Sequence, residues 1–438
     1  MHRIGLTKMR YCVKERVFML DLIQDPSILQ ITDTIRENAA RGRYIISDVI
    51  CRVDGQEYQF VDLVLEGGGT LGIALVGYMH ALEQAGVRFL GIGGSSVGAI
   101  VALLAYSCGQ RTEARGEKLA AIISEMHLDE MVDGNWFARR LSLLLGNRNA
   151  RFRLGQIIFN ALLAMPGLFK KLGLNPGTKL YEWISDQLSV NNVSSLADLD
   201  RLISALPDGL VHRETGAPIV GYDTGLKIVA ADITTSTKVV FPEMAEMYWP
   251  NPDRINPACF ARASASIPLF FQPFDVNGIS ELIGSSEKWE RLGSFTGTLP
   301  NKVSFADGGL LSNFPIDLFK RPGIPRAPTL GARLGDKYRT ARDIETMGQY
   351  ASQLFSALRH YADYDFIFKN PLYKQVITHI NTDSYHWLDF TMSQSEKVGL
   401  FREGVAAGYL FLESFDWGGY KELRAAEFAF YKAHAKLP

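Results

Sequence analysis

Cysteine is scarce in this chain of 438 residues. The four cysteines lie far apart and form no C-x-x-C pair, which excludes a disulfide framework and a zinc knuckle; they are Cys12, Cys51, Cys108 and Cys259. No stretch approaches the roughly 20 apolar residues of a membrane-spanning helix. Asp21 ends the early apolar run at residues 17–20, well short of a signal-peptide core of roughly 7–15 residues. A cytoplasmic protein with reduced thiols is the expectation, with secretion by a signal-less route left open.

An excess of charge of either sign is also absent. The chain has 46 Lys and Arg residues against 47 Asp and Glu residues, for a net charge of −1. Such a protein has no overall basic field for nucleic acid, so no nucleic-acid partner is expected. With 47% hydrophobic and 21% charged residues, the composition is typical of a folded globular chain and argues against long disordered segments.

Two units of strand, glycine turn and helix follow one another between about residues 60 and 104. Residues 60–65 predict a strand that ends at Gly67, and residues 87–92 predict another that ends at Gly93. This order indicates a parallel sheet with right-handed crossovers. Further strand patterns occur at 226–233, 238–241, 303–306 and 376–380. We predict an N-terminal appendage (1–59), an α/β domain (60–320) with a helical, lid-like insertion at about 113–220, and a mostly helical C-terminal region (321–438).

The first chemistry-bearing motif is the loop Gly67-Gly68-Gly69-Thr70-Leu71-Gly72. Its G-x-G-x-x-G spacing also occurs in dinucleotide-binding loops, which place an acidic residue about 20 positions later. Residues 87–98 contain neither Asp nor Glu, which argues against that interpretation. Two interpretations remain. The loop is a purely structural turn, or its backbone N–H groups bind a developing negative charge, as in an oxyanion hole.

The second motif, Gly94-Ser95-Ser96-Val97-Gly98, lies between the second strand and its helix. It fits G-x-S-x-G, in which small flanking residues permit a sharp turn that exposes one hydroxyl, here that of Ser96. The alternative is a helix cap in a tight turn.

A serine hydroxyl needs a base to become a good nucleophile. The histidines available as partners have no glycine or strand-end context; they are His80, His360, His379 and His386. Asp307 directly follows a predicted strand and precedes Gly308 and Gly309, which places a carboxylate at a sheet edge with room for close approach. A β-turn or helix-cap aspartate is the alternative for Asp307.

Together the glycine loop, the serine turn and the D-G-G motif resemble the patatin-like phospholipase family, which carries these motifs in this order. Residues 261–270 are similar to the family's segment between serine and aspartate, and residues 60–320 carry most of the resemblance. The resemblance implies an α/β fold, a patatin-like three-layer sandwich with a mostly parallel central sheet, a helical insertion and a helical C-terminal region. One departure is Leu71, where many relatives have Lys or Arg.

The resemblance implies that Ser96 is the nucleophile and Asp307 its base. It makes Gly68 and Gly69, with help from Gly67, the oxyanion hole, and Gly72, Gly94, Gly98, Gly308 and Gly309 the motif glycines. No metal or cofactor enters such a dyad, and the sequence shows no calcium loop or zinc cluster.

The predicted function is a serine lipid acyl hydrolase that cleaves fatty acyl esters of glycerophospholipids through an acyl-enzyme, of phospholipase A or lysophospholipase type. Two alternatives stay open. One is an α/β-hydrolase with a Ser-Asp-His triad, and the other is a lipid-binding regulatory module without turnover. Bacterial relatives include enzymes that stay silent until a ligand or protein activates them, so an activator is a further partner implied by the resemblance.

Residues 134–181 contain eight Lys and Arg residues and no acidic residue. The same interval is rich in Trp, Phe and Leu, a composition typical of segments that bind anionic lipid surfaces. The predicted peripheral membrane interface comprises Arg139, Arg140, Arg151, Arg153, Lys170 and Lys171. The alternative is a lid whose apolar residues pack on the core while the cations stay in water.

Overall fold

The fold was determined as a computed structural model. The structure describes residues 22–146, 169–222, 224–281, 284–321, 323–335, 341 and 344–434. Two sheets lie in this part of the chain, a large mixed sheet and a small pair of strands.

Strands and helices alternate between residues 56 and 107, as expected for an α/β fold. The strands are β1 (Val49–Val53), β2 (Gln56–Leu65), β3 (Val87–Ser95), β4 (Gly173–Asn175), β5 (Val211–His212), β6 (Leu226–Asp232), β7 (Thr237–Phe241), β8 (Leu269–Phe271), β9 (Phe274–Asn277), β10 (Lys302–Ala306), β11 (Thr329–Leu334) and β12 (Ile377–Ile380). The helices are α1 (Pro26–Ala40), α2 (Gly72–Gln84), α3 (Val97–Ser107), α4 (Gly116–Ser124), α5 (Trp136–Gly146), α6 (Thr178–Val190), α7 (Leu196–Ser204), α8 (Ala258–Ser264), α9 (Ser285–Gly293), α10 (Met347–Lys369), α11 (Gln394–Ser414) and α12 (Trp417–His434).

The central sheet has the strand order β12-β11-β2-β3-β6-β10-β9. The first five of these strands are parallel. At one edge β10 pairs antiparallel with β6, and β9 pairs antiparallel with β10. Because right-handed crossovers from β2 to β3 and from β3 to β6 run in one direction, they place α2 and α3 on the same face. The crossover from β11 to β12 runs the opposite way and places α10 on the other face. The predicted α/β fold with a mostly parallel sheet and C-terminal helices is confirmed.

Helices α2 and α11 approach each other closely at a pair of glycines. A Cβ on Gly404 would meet the carbonyl of Ala74 and lie 2.8 Å from the amide nitrogen of Tyr78. A Cβ on Gly77 would meet the carbonyl of Phe401 in the same way. The C-terminal region is therefore packed directly on the first crossover helix, and α2 is buried along almost its whole length.

Several strands of the structure were not predicted from the sequence. Strand β11 was not predicted, because Gly331, Ala332 and Arg333 interrupt its apolar pattern. The predicted boundary at residue 59 lies within β2, and β1 pairs with β2 in the same sheet. The three-part division of the chain stays a prediction. Within the described ranges, no helix combines the length and the apolar character needed to cross a membrane.

Candidate active site

Ser96 occupies the turn between β3 and α3. Its backbone has a φ of 53° and a ψ of −123°, a conformation that is costly for any residue with a Cβ atom. The surrounding strand and helix hold this strained turn in place. Such a turn directs the serine hydroxyl away from the sheet edge, toward space that a substrate can enter.

The serine turn leaves no room for side chains on its flanks. A Cβ on Gly98 would meet the backbone carbonyl of Leu65 and lie 2.9 Å from the carbonyl oxygen of Glu66. A Cβ on Gly94 would lie 2.6 Å from the same Leu65 oxygen. Real Cβ atoms essentially never come within 3.0 Å of such neighbours. Glycine at both positions lets the turn pack against the end of β2.

Asp307 and Ser96 are in direct contact, although 211 positions separate them in sequence. The Ser96 Oγ donates a hydrogen bond to Asp307 Oδ2 at 2.5 Å. The other carboxylate oxygen, Oδ1, accepts the backbone N–H of Gly309 at 2.8 Å. The backbone N–H of Asp307 donates to the Ser266 carbonyl at 2.8 Å. Both carboxylate oxygens and the backbone of Asp307 are therefore fixed, with Oδ2 aimed at the serine hydroxyl.

Burial raises the pKa of Asp307, because removal of water disfavours the charged carboxylate. The positive charge of Arg359 opposes this shift, and the hydrogen bonds from Ser96 and Gly309 oppose it further. A carboxylate with a raised pKa is a stronger base toward a hydroxyl than an exposed aspartate.

The glycine loop leads into α2 through one turn of 3₁₀ helix, Gly69–Leu71. The Gly67 N–H donates to the Asn313 carbonyl at 3.0 Å, so the predicted help of Gly67 in an oxyanion hole is not available in this structure. The Thr70 N–H donates to the Trp387 carbonyl at 2.8 Å. Within the described residues, the N–H groups of Gly68 and Gly69 have no acceptor in the protein. The structure thus leaves two adjacent donors at the loop.

The remaining motif glycines pack closely around the same centre. A Cβ on Gly72 would collide with Val97, and one on Gly308 would lie 2.6 Å from Ser95 Oγ. Gly309 donates its N–H to Asp307. The three sequence motifs are thereby joined at one end of the parallel strands, the usual location of sites in such sheets.

An apolar cavity opens at Ser96. Its empty volume, which includes the open mouth and the solvent space there, is about 670 Å³. Gly69 and Ser96 lie at its wall together with a mostly apolar set, which includes Ile73, Val97, Ile100, Leu180, Trp183 and Phe271. An extended hydrocarbon group suits this lining better than a polar ligand does.

A buried polar network lies behind the glycine loop, and sequence reasoning did not find it. The Glu66 carboxylate pairs with Arg333 at 3.3 Å and accepts the Asn313 side-chain amide at 3.2 Å. Arg359 of α10 donates to the other end of that amide, Asn313 Oδ1, at 2.5 Å. Asp363, one helical turn further, accepts the Ser312 hydroxyl at 2.8 Å. The C-terminal helix α10 is therefore tied to the segment that follows Asp307.

A family model described as patatin-like phospholipase matches residues 63–320, more than half of the chain. The matched range contains the glycine loop, Ser96 and Asp307. The chain belongs to the patatin-like phospholipase family. Members are lipid ester hydrolases, and this patatin-like chain is assigned to that enzyme class.

Other proteins resemble this patatin-like chain over most of its length. It is 27% identical over 360 residues to the uncharacterized protein YqhO of Bacillus subtilis strain 168, covering 82% of this chain and 100% of YqhO. Among solved structures, VipD from Legionella pneumophila is similar at a TM-score of 0.39 and 16% identity, covering 87% of this chain and 73% of VipD. ExoU, solved with SpcU from the type III secretion system of Pseudomonas aeruginosa, is similar at a TM-score of 0.34 and 16% identity, covering 90% of this chain and 66% of ExoU.

The predicted alternative, a histidine-containing triad, finds no support in the described residues of the patatin-like chain. His80 is buried in α2 beside the Phe401 ring, and burial lowers its pKa to about 4. In the part of the chain that the structure describes, no histidine side chain hydrogen-bonds to Ser96 or lines the cavity. The four candidates His80, His360, His379 and His386 all lie in that part of the chain.

An exposed patch of apolar and basic side chains surrounds the small β4–β8 sheet. Four large apolar side chains are 59–73% exposed there, namely Trp136, Phe169, Leu172 and Leu269. Three exposed cations accompany them, namely Arg140, which stacks on the Trp136 ring at 5.3 Å, Lys170 and Lys171. We call these seven residues the basic apolar patch.

Not all of the predicted membrane-interface residues belong to this patch. Arg139 pairs with Asp129 at 3.4 Å. Arg151 and Arg153 lie outside the described residues. Strand β8 connects the patch with the cavity, because Leu269 at its start belongs to the patch and Phe271 at its end lines the cavity wall.

Proposed function

We propose that this protein is a serine lipid acyl hydrolase of phospholipase A or lysophospholipase type, which cleaves fatty acyl esters of phospholipids with Ser96 and Asp307. One observation carries the proposal. The Ser96 Oγ is 2.5 Å from the Asp307 carboxylate at the wall of an apolar cavity, in a chain of a lipid-hydrolase family.

Acylation begins with proton transfer from Ser96 to Asp307, as the Ser96 Oγ attacks the ester carbonyl carbon. The carbonyl oxygen becomes an oxyanion, which the N–H groups of Gly68 and Gly69 stabilise; one such donor is worth about 10²–10³-fold in rate. The tetrahedral intermediate collapses, the ester C–O bond breaks, and protonated Asp307 returns its proton to the leaving alkoxide. The products of this half-reaction are the acyl-enzyme and a lysophospholipid or its deacylated equivalent.

Deacylation repeats the same steps with water as the nucleophile. Asp307 accepts a proton from the water, whose oxygen attacks the acyl carbonyl. The second oxyanion is held by the same glycine N–H groups. As it collapses, the bond between the acyl carbon and the Ser96 Oγ breaks and Asp307 returns its proton to that oxygen, which releases the fatty acid and restores the Ser96 hydroxyl. The apolar cavity holds the acyl chain during both half-reactions, because burying hydrocarbon there removes it from water.

A direct test of this function is product analysis with the wild-type protein and phosphatidylglycerol vesicles. We expect release of free fatty acid together with lysophospholipid, and no diacylglycerol or phosphatidic acid, because the proposed chemistry breaks carboxylic esters only. The rate should be the same in EDTA, since both catalytic groups are protein side chains. Release of a phosphorylated headgroup would contradict the proposal. Tight lipid binding without any turnover would instead favour a binding module.

The basic apolar patch is proposed to dock the enzyme on anionic lipid surfaces beside the cavity. Exposed Trp, Phe and Leu side chains insert at the interface, while cations are attracted to the surface by about 1 kcal/mol each. A substrate lipid then enters the cavity without crossing water.

Charge reversal tests this docking. The triple variant Arg140→Glu, Lys170→Glu and Lys171→Glu is expected to bind phosphatidylglycerol vesicles about 100-fold more weakly, from about 1 kcal/mol per lost cation. Wild-type binding should weaken as salt rises, since the attraction is screened. The measurement is co-sedimentation with vesicles over a lipid titration.

The matched control carries the same change in net charge at exposed cations elsewhere, namely Arg41→Glu, Arg201→Glu and Lys369→Glu. Docking through the patch predicts that this control binds more nearly like wild type. If both triple variants lose the same affinity, overall charge rather than the patch is responsible.

A further inference from the structure

Arg359 reaches from α10 to both halves of the catalytic centre, although it lies outside the family-matched range 63–320. We propose that Arg359 is a positioning residue that fixes the oxyanion-binding loop and places beside it the positive charge missing at Leu71. The inference rests on the proposed Ser96 and Asp307 chemistry and assigns a role to the C-terminal region in that chemistry.

Arg359 and Asn313 fix the orientation of the peptide between Gly67 and Gly68. The Arg359 Nη2 donates to the Gly67 carbonyl oxygen at 3.4 Å, and the Asn313 Nδ2 donates to the same oxygen at 3.1 Å. The Gly67 C=O and the Gly68 N–H belong to one planar trans peptide, so they point in opposite directions. Holding the carbonyl toward Arg359 and Asn313 therefore aims the Gly68 N–H to the other side. The proposed oxyanion donor is fixed in orientation before substrate arrives.

Several contacts hold the Arg359 side chain in place beside the loop. Arg359 donates to Asn313 Oδ1 at 2.5 Å, and the Asn313 amide also donates to buried Glu66 at 3.2 Å. The Arg359 guanidinium lies 5.6 Å from the ring centroid of Trp387, whose carbonyl accepts the next loop N–H, that of Thr70. Arg359 thus contacts the loop directly and through two of its neighbours. Preorganised donors of this kind need no rearrangement during reaction.

The positive charge of Arg359 also acts on Asp307. The Arg359 Nε lies 3.3 Å from where a Cβ on Gly309 would be, which puts the guanidinium against the turn that holds Asp307. Its charge lowers the pKa of Asp307, in opposition to burial. Of the acidic groups that the structure describes nearby, Glu66 pairs with Arg333, and Asp363 accepts hydrogen bonds from the Ser312 hydroxyl and the Phe314 N–H. The Arg359 charge therefore helps to keep Asp307 ionised and available as a base.

The glycine loop itself has no cation at position 71. Leu71 is a buried apolar residue and contributes no charge. Arg359 of α10 donates to the Gly67 carbonyl and so puts a positive charge beside the loop, since electrostatic stabilisation depends on where the charge lies and not on its sequence position. Arg359, a residue beyond the matched range, thereby becomes part of the proposed active site.

The test compares Arg359→Met and Arg359→Lys with the control Lys369→Met, an exposed cation on the same helix that pairs with Asp365 at 2.6 Å. The substrate is p-nitrophenyl butyrate, so that vesicle binding is not involved. For Arg359→Met we expect kcat to fall about 100-fold, the scale of a misplaced catalytic group, with a much smaller change in KM. Arg359→Lys should recover part of kcat, and Lys369→Met should equal wild type.

The pH profile separates positioning from a purely structural role. Asp307 acts as a base only when ionised, so kcat/KM rises with pH through its pKa. Loss of the Arg359 cation removes an interaction that lowers this pKa, so the acidic limb should move to higher pH. Added guanidinium chloride at low, non-denaturing concentration should restore part of the activity of Arg359→Met.

Two further outcomes would overturn the inference alone, and a third would overturn the proposed function as well. Wild-type kinetics in Arg359→Met overturn the inference and leave the proposed function intact. Loss of activity with an unshifted pH profile, no guanidinium rescue and a lowered melting temperature also overturns it, in favour of structural support. Absence of any turnover that depends on Ser96 in the wild type overturns both the inference and the proposed function.

Discussion

Replacement of Ser96 by alanine is expected to lower acyl ester hydrolysis by about 10⁴-fold or more, as loss of a catalytic nucleophile does in other serine hydrolases. The expected effect is large because the proposed pathway has no covalent intermediate without the Oγ atom. The measurement has two readouts. One is fatty acid release from phosphatidylglycerol vesicles, and the other is the intact mass after treatment with a fluorophosphonate, which should show one adduct on wild type and none on Ser96→Ala.

Asp307→Asn is the matched companion variant. The amide keeps the size of the side chain and an oxygen to accept the Gly309 N–H, but it cannot take a proton from Ser96. Its rate should fall to nearly the level of Ser96→Ala, and the double variant should be no worse, because residues that act as a unit are not additive. An adduct that persists in Ser96→Ala, or full activity in Asp307→Asn, would show that another residue attacks or another base serves.

Gly98→Ala is expected to lower the free energy of unfolding by about 3 kcal/mol or more, at the upper end of the cost of overpacking. The added methyl group would meet the backbone at the end of β2, at Leu65 and Glu66, and backbone of a central strand cannot move aside as a flexible side chain can. Because relieving this steric clash must shift the turn that carries Ser96, activity should be lost as well. Urea unfolding and fluorophosphonate labelling measure the two effects.

Gly418→Ala is the control for this substitution. Gly418 lies exposed near the start of α12, where a Cβ would have only an ordinary contact at 3.4 Å with Asp416. Alanine is favoured over glycine in helices by up to about 1 kcal/mol, so this variant should be as stable as wild type or slightly more stable. If Gly98→Ala behaved in the same way, the close packing between the serine turn and β2 would not be required.

Local sequence patterns were sufficient to predict the parts of the fold and site that depend on residues close together in sequence. The apolar runs before Gly67 and Gly93 mark two central strands, and the G-x-S-x-G spacing identifies the turn that carries Ser96. Asp307 was recognisable because a strand precedes it and glycines follow it. Each of these signals lies within about ten residues of the feature that it predicts.

Features that depend on distant contacts were not predictable in this way. The Gly67 N–H was assigned to the oxyanion hole, but the Asn313 carbonyl, 246 positions away, accepts it. Arg359 sits in a helix with no motif, and only the crossover from β11 to β12 brings it to the glycine loop. Strand β11 has glycine and arginine where an apolar strand pattern needs side chains of its own. A single sequence does not show which distant residues come into contact, because the packing of the whole sheet determines these contacts.

The close packing of α2 on α11 has a consequence for how the chain is made. More than 300 residues separate Gly77 from Gly404, and a ribosome working at about 5–20 residues per second needs roughly 15–60 s to span them. During that time the newly made α2, apolar on nearly every side, has no α11 to cover it. The nascent chain must therefore be shielded by chaperones or by the emerging domain itself. The packing of α2 against α11 therefore forms only after the segments that carry Ser96 and Asp307 have both been synthesised.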